Sequence, residues 1–133
     1  LLIFENNMTF EFSDFKEQKF KKILLVSNET NRAIELSEKV LKFKINLLED
    51  QKIRLDKKSI NCEITNINDL KNITEEVYAL YPTVGENLDF IQNNQLKNIK
   101  FLYRKLDQFS WQYCNKGFFN FKNYIPKIIA NFN

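Results

Sequence analysis

LKFKINLLEDQKIRLDKKSINCEI, residues 41–64, is the part of the sequence on which the predicted fold class depends, because it satisfies two different periods. A spacing of seven residues, typical of one face of an amphipathic helix, relates Leu41, Leu48, Leu55 and Cys62. The alternation typical of half-buried strands relates the apolar positions of 41–47, and later those of 60–64. A helix here predicts a bundle, whereas strands here predict an antiparallel sheet in the first half of the chain.

Turn-forming residues are scarce along the whole chain. The first 81 residues contain neither glycine nor proline, and the full sequence holds two of each. These four residues are Pro82, Gly85, Gly117 and Pro126. Because the tight turns of hairpins usually need such residues and helix interiors do not, we predict an all-α fold, an antiparallel bundle of four or five helices. The alternative is an α+β fold with an N-terminal antiparallel sheet and C-terminal helices.

The apolar spacing predicts one or two amphipathic helices between residues 13 and 62. Ser13 is the expected N-cap of the first helix, and Ser27 or Asn28 is the expected start of a second. A third helix is predicted over residues 67–80, where apolar side chains recur on one face. The first half of the chain is therefore expected to be mainly helical from Ser13 onward, and the alternation of Met8, Phe10 and Phe12 can form a short extended arm before it.

A fourth helix is predicted to begin at Glu86, with Thr83 as its cap, and to continue to about Lys116. Residues 82–85 contain a proline and a glycine, and they are expected to form a hinge. A length of 133 residues suits a single domain over residues 1–133.

Most catalytic and cofactor chemistry lacks the residue types that it needs here. The chain has no histidine, which is the usual general base and the commonest ligand of transition metals. Two glycines cannot form a phosphate-binding glycine-rich loop, and two cysteines without histidine cannot form an ordinary zinc site. The sequence therefore predicts no catalytic, cofactor-binding or metal-binding residue, no small-molecule substrate and no enzymatic activity.

The overall composition constrains partners and location weakly. The chain has 18 Asn and 17 Lys against 3 Arg, a bias typical of coding DNA from an AT-rich genome. The formal net charge of +3 is too small to predict nucleic-acid binding. The two cysteines, Cys62 and Cys114, are expected to be reduced, which favours the cytoplasm. The alternative is one disulfide in a secreted protein, so the location stays open.

The C-terminal third differs from the rest of the chain in charge and in aromatic content. Residues 88–133 carry seven basic and two acidic side chains and 11 of the 19 aromatic residues. The basic, aromatic segment 116–133 is predicted to bind a partner protein, or a second copy in an oligomer, through an amphipathic helix. The predicted partner-binding residues are Lys116, Phe118, Phe119, Phe121, Lys122, Tyr124, Lys127 and Phe132.

Three other roles for segment 116–133 stay open. Its phenylalanines can pack inward as the last element of the bundle. The same lysine and aromatic surface can bind nucleic acid, by contacting phosphates and stacking bases. An amphipathic helix with lysines beside phenylalanines can also associate with a membrane surface.

Overall fold

The computed structural model describes residues 1–8, 10, 15, 17–29 and 34–132. The chain forms two compact units, residues 1–102 and residues 103–133. The first unit combines strands with helices, and the second consists of short helices. The single domain predicted over residues 1–133 is a statement about cooperative folding, and it stays a prediction.

The first unit is built on a five-stranded sheet in which every strand pair is parallel. The strands are β1 (Leu2–Phe4), β2 (Ile23–Ser27), β3 (Cys62–Asn66), β4 (Val77–Leu80) and β5 (Ile99–Leu102). Their order across the sheet is β3-β2-β1-β4-β5, so β1 lies in the centre. The apolar runs LLIF at 1–4 and ILLV at 23–26 are typical of parallel strands that are covered on both faces.

Among the described residues, helices lie in the connections from β2 to β3, from β3 to β4 and from β4 to β5. They are α1 (Glu38–Asp56), a 3-10 helix (Ile67–Asn72) and α2 (Glu86–Asn93). Leu48 and Leu55 are buried on one face of α1, seven residues apart, as the helical spacing predicted. The 3-10 helix begins with a capping box, in which Asn66 and Asp69 satisfy each other's backbone amides.

Two apolar clusters cover the two faces of the sheet. Successive side chains of a strand point to opposite faces, so Leu2 and Phe4 enter one cluster while Ile3 enters the other. The first cluster includes buried side chains of the 3-10 helix and of α2, and the second includes those of α1. Full burial of a side chain of this size contributes about 1.5–3 kcal/mol, so these clusters hold the first unit together.

The prediction of an all-α antiparallel helical bundle is wrong, because the first unit is an α/β fold with a parallel sheet. The antiparallel alternative is wrong for the same reason. Scarcity of glycine and proline argues against hairpins, but parallel strands are joined by long crossovers that need no tight turn. Scarcity of these residues is therefore evidence against hairpins alone, and it does not favour helices over parallel strands.

Residues 41–64 contain both a helix and a strand. The helical period holds as far as Asp56, where α1 ends, and the alternation holds at β3, which begins at Cys62. Between them, Ser59 has a φ of 56°, a left-handed conformation that ends the helical path. The seven-residue spacing continues across this turn by coincidence.

Other predicted helices are shorter than expected or are absent. Residues 67–80 form the 3-10 helix and β4 rather than a third helix. The helix predicted from Glu86 does begin there, but it ends at Asn93, and Gly85 rather than Thr83 is its N-cap. Ser27 ends β2 instead of starting a helix, and the predicted cap Ser13 lies outside the described residues.

The second unit consists of three α-helices and two short 3-10 helices among its described residues. The α-helices are α3 (Lys105–Trp111), α4 (Phe118–Phe121) and α5 (Ile125–Phe132). The 3-10 helices are Cys114–Lys116 and Lys122–Tyr124. Over the part of the chain that the structure describes, no helix is long and apolar enough to cross a membrane.

Candidate functional site

The strand order reverses between β1 and β4. Strands β2 and β3 lie on one side of β1, and β4 and β5 lie on the other. The chain after β1 packs Met8 and Phe10 on one face of the sheet, whereas α2, after β4, packs Phe90 and Ile91 on the other. Connections that diverge in this way leave a crevice at the carboxyl ends of the strands, and ligands of open α/β sheets bind there.

Asparagine side chains join the two loops that border this crevice. Asn6 Nδ2 donates to the carbonyl of Pro82 at 2.6 Å and to Thr83 Oγ1 at 3.2 Å. Asn7 Nδ2 donates to the carbonyl of Tyr81 at 3.1 Å. These bonds fix the loop after β1 against the loop after β4, so the base of the crevice is held in one arrangement.

An ion pair lies at the carboxyl end of β1. Lys44 Nζ, on α1, is 2.7 Å from Glu5 Oε1, and the Glu5 side chain is only 7% exposed. Removing one partner of a buried ion pair leaves an unpaired charge and costs about 3–5 kcal/mol. The pair therefore holds an ammonium and a carboxylate next to each other at a fixed position.

A cleft of about 150 Å³ opens beside this ion pair. Its described lining consists of Glu5, Asn6, Lys44, Pro82, Val84, Gly85, Glu86 and Asn87. The chain turns sharply where it borders the cleft: Thr83 has a φ of 62° and Gly85 a φ of 124°. Gly85 needs the conformational freedom of glycine, and Thr83 is in a strained conformation of the kind often found beside functional sites.

The carboxyl end of β2 adds further polar groups to this edge of the sheet. Asn28, directly after β2, is buried, and its Nδ2 donates to Asn87 Oδ1 at 2.9 Å. A second, much smaller cavity is bordered by Glu5, Lys44, Asn28 and Glu29. The polar residues after β1, β2 and β4 therefore meet at one edge of the sheet.

The eight predicted partner-binding residues all lie in the second unit, and they differ in exposure. Phe118 is 67% exposed and Phe119 is 84% exposed, and their rings contact each other edge to face at 5.9 Å. Phe121 and Tyr124 are half-buried. The exposed remainder consists of Lys116, Lys122, Lys127 and Phe132.

Several of these residues take part in packing within the second unit. Tyr124 stacks on Tyr113 at 4.5 Å between ring centroids, and Lys127 Nζ lies 5.4 Å from the centroid of the Tyr113 ring. Phe132 contacts Phe109 edge to face at 5.5 Å. Such aromatic and cation–π contacts each contribute about 0.5–1.5 kcal/mol, so they stabilise the arrangement of the short helices.

Cys62, the one cysteine on the sheet, is buried at the start of β3. Burial raises the pKa of its thiol to about 11, and the thiol also donates to Asp56 Oδ1 at 3.4 Å, which favours the protonated form. Lys52 and this thiol hold the pKa of the Asp56 carboxyl below its usual value. A thiol that keeps its proton is a poor nucleophile near neutral pH.

Sequence reasoning missed the residues of the cleft. The signal was the segment ENN at 5–7, in which polar residues directly follow the apolar run LLIF. Polar side chains after a parallel strand lie at the edge where ligands bind, but this holds only for a parallel sheet. Because the N-terminal alternative was an antiparallel sheet, these residues had no expected function.

Among residues 1–8, 10, 15, 17–29 and 34–132, no three acidic, cysteine or histidine side chains are grouped so that they could hold a metal ion. The chain matches no family model, and no curated protein and no solved structure is significantly similar to it.

Proposed function

We propose that this chain is a non-enzymatic protein-interaction module, and that its second unit docks onto a partner protein through Phe118 and Phe119. The exposure of these two adjacent rings, at 67% and 84%, is the observation that supports the proposal. Large aromatic side chains dominate the energetics of protein interfaces when a partner removes them from water.

The positive charge around these rings favours a partner with acidic side chains. Lys116 and Lys122, on either side of α4, are both exposed. Residues 103–133 carry five basic side chains and one acidic side chain. Complementary charges favour association and exclude other partners, so the expected partner presents an apolar groove bordered by carboxylates.

The packing within the second unit supports this role for α4. Two ring contacts, Tyr113–Tyr124 and Phe109–Phe132, each join a residue that precedes α4 in the sequence to one that follows it. They hold other aromatic side chains of the unit against one another, whereas the rings of Phe118 and Phe119 are exposed. A segment that is ordered before binding loses less conformational entropy when it docks.

Site-specific photo-crosslinking in the native host tests the proposal. A photoreactive phenylalanine analogue at position 119 is expected to capture one partner, and the same analogue at position 43 is not. Phe43 is a suitable control because it is 61% exposed and lies on α1 of the first unit. With the purified partner, the double variant Phe118→Ser/Phe119→Ser should weaken binding at least about thirtyfold, and Phe43→Ser should leave it unchanged.

Three further measurements on the purified chain distinguish other binding partners: the salt dependence of nucleic-acid binding, binding to lipid vesicles, and the mass of the chain as a function of concentration. Nucleic acid gives an affinity that falls steeply as salt rises, because bound cations are released from phosphates. A membrane surface gives binding to anionic lipid vesicles that depends on both phenylalanines. A second copy of the chain gives a mass that rises with concentration, and this assembly would be lost in the double variant. Any of these results, without a captured protein, would contradict docking onto a partner protein.

A further inference from the structure

A groove of about 490 Å³ lies at the edge of the sheet opposite the cleft, where strands β1, β2 and β4 begin. Because β1 lies between β2 and β4, the groove crosses three neighbouring strands. Its volume is within the range of about 300–1,000 Å³ that is typical of pockets for small ligands. The groove belongs to the first unit, so its role is independent of docking through Phe118 and Phe119.

The groove exists because one connection between strands covers the sheet incompletely. The chain from β3 to β4 crosses the sheet with the 3-10 helix, which has six residues and spans about 12 Å at its rise of ~2.0 Å per residue. This is shorter than β3, whose five residues span about 17 Å. At the amino end of this face, Leu24, Ile73 and Val77 therefore stay half-buried.

The floor of the groove is apolar. Its half-buried side chains are Leu1, Phe20, Leu24, Ile73 and Val77. Apolar side chains that a ligand removes further from water contribute favourably to binding, in proportion to the area that is covered. The floor is therefore suited to the apolar part of a ligand.

Four charged side chains at the rim compensate one another in pairs. Lys22 forms an ion pair with Glu63, and Glu76 forms one with Lys100. The amino group of Leu1 donates to the carbonyl of Lys22, and the charge balance does not depend on it. These two ion pairs add no net charge to the groove.

Two lysines at the β2 end of the groove are not compensated in this way. Lys19 and Lys21 line the groove and are exposed, and among the residues that the structure describes neither has an ion-pair partner. Glu75, the remaining carboxylate of the lining, precedes β4, which lies two strand spacings, about 10 Å, from β2. Salt screens exposed charges over about this distance, so the β2 end favours an anion.

We propose that the groove binds a free fatty acid, with its carboxylate on Lys19 and Lys21 and its alkyl chain along the apolar floor toward β4. Hydrogen bonds between an ammonium and a carboxylate are stronger than those between neutral groups. The volume is about sixteen times the ~30 Å³ that one water molecule occupies in the liquid. A methylene group is of similar size, so the groove accommodates a chain of about ten carbons.

Chemical-shift titration of the full chain with sodium hexanoate, octanoate and decanoate tests the proposal. Each acid should shift the backbone amide signals of Leu24, Val77 and Tyr78, which line the groove. Affinity should rise about tenfold from hexanoate to octanoate and again to decanoate, because each step removes two more methylenes from water. Octylammonium has the octyl chain with a positive head group, and it should bind at least about tenfold more weakly than octanoate.

Variants of the two lysines test the recognition of the carboxylate. Lys19→Gln/Lys21→Gln should weaken the binding of octanoate at least about tenfold, because both charged donors are lost. Lys57→Gln/Lys58→Gln is the matched control, since it makes the same change in net charge at two exposed lysines that follow α1 and lie outside the lining. This control should bind octanoate like the unchanged protein. Both double variants change exposed residues, so both should fold.

Five results would overturn the proposal. The first is the absence of decanoate binding up to about 10 mM, which is weaker than specific recognition. The second is a set of shifted signals confined to residues 103–133. The third is an affinity that does not rise with chain length, and the fourth is octylammonium that binds as tightly as octanoate. The fifth is undiminished octanoate binding by the Lys19→Gln/Lys21→Gln variant.

Discussion

The role of a polar residue in this protein depends on where the preceding strand ends. Glu5 and Asn6 are ordinary surface residue types, yet they border the cleft because β1 ends at Phe4. Asn28 is buried for a similar reason, since it follows the last residue of β2. Residue type indicates polarity, and strand position decides whether that polarity faces solvent or a site.

The two cysteines are expected to differ sharply in reactivity. The pKa of the buried Cys62 thiol is raised to about 11, whereas Cys114 is exposed. Because the thiolate is the reactive form, iodoacetamide at about pH 8 should modify Cys114 and leave Cys62 intact in the native protein. Mass spectrometry of the intact protein should show one adduct, and a second after denaturation. Rapid double modification of the native protein would contradict this assignment.

The raised pKa of Cys62 also gives the stability of the protein a pH dependence. The unfolded chain releases this proton near its ordinary pKa of 9.0, and the folded chain releases it near 11. The contribution of this group to stability is therefore constant below pH 9.0 and falls as the pH rises toward about 11. Unfolding midpoints measured between pH 9.0 and about 11 should therefore fall less for the Cys62→Ala variant than for the unchanged protein.

At the scale of elements, a seven-residue spacing identified the buried face of α1 but not its end. Leu48 and Leu55 are buried, and the helix ends at Asp56, before the series reaches Cys62. The prediction failed for β4 because Val77 and Leu80, which lie three apart, suit one helix face as well as a strand. Short apolar runs satisfy both periods, so pairing with a neighbouring strand decides between them.

Substitutions within α1 test which of its faces is buried. Leu48 is fully buried in the cluster over one face of the sheet, whereas Ile53 is 54% exposed on the same helix. Leu48→Ala should lower the free energy of unfolding by about 2–5 kcal/mol, because it leaves a cavity among packed side chains. Ile53→Ala should change it by less than about 1 kcal/mol. Equal losses in chemical denaturation would contradict the placement of α1 on the sheet.

At the scale of the whole molecule, the two units differ in how much they bury. The first unit buries side chains on both faces of its sheet. In the second unit, Ile128 is the one buried side chain among the described residues, although its helices are rich in aromatic residues. Apolar composition alone does not predict this difference in burial, because the burial of a side chain depends on how many elements surround it.

Hydrogen exchange is expected to reflect this difference in burial. The amides of β1 and β2 should exchange most slowly, because opening these strands disrupts the packing on both faces of the sheet. The amides of α4 and α5 should exchange earlier, since few buried contacts hold these helices. Mass spectrometry of peptic fragments measures both sets in one experiment. Protection of residues 118–132 equal to that of β2 would contradict the low burial of the second unit.

The amino-acid sequence specified several properties without reference to the fold: the scarcity of hairpin turns, the buried face of α1, the start of α2 at Glu86, and the basic, aromatic character of the C-terminal third. Each of these depends on neighbours along the chain. The parallel sheet and the cleft depend instead on contacts between segments that are far apart in sequence. Asn6 meets Thr83 and Glu5 meets Lys44 because β1 lies between β2 and β4, and no local period encodes that order.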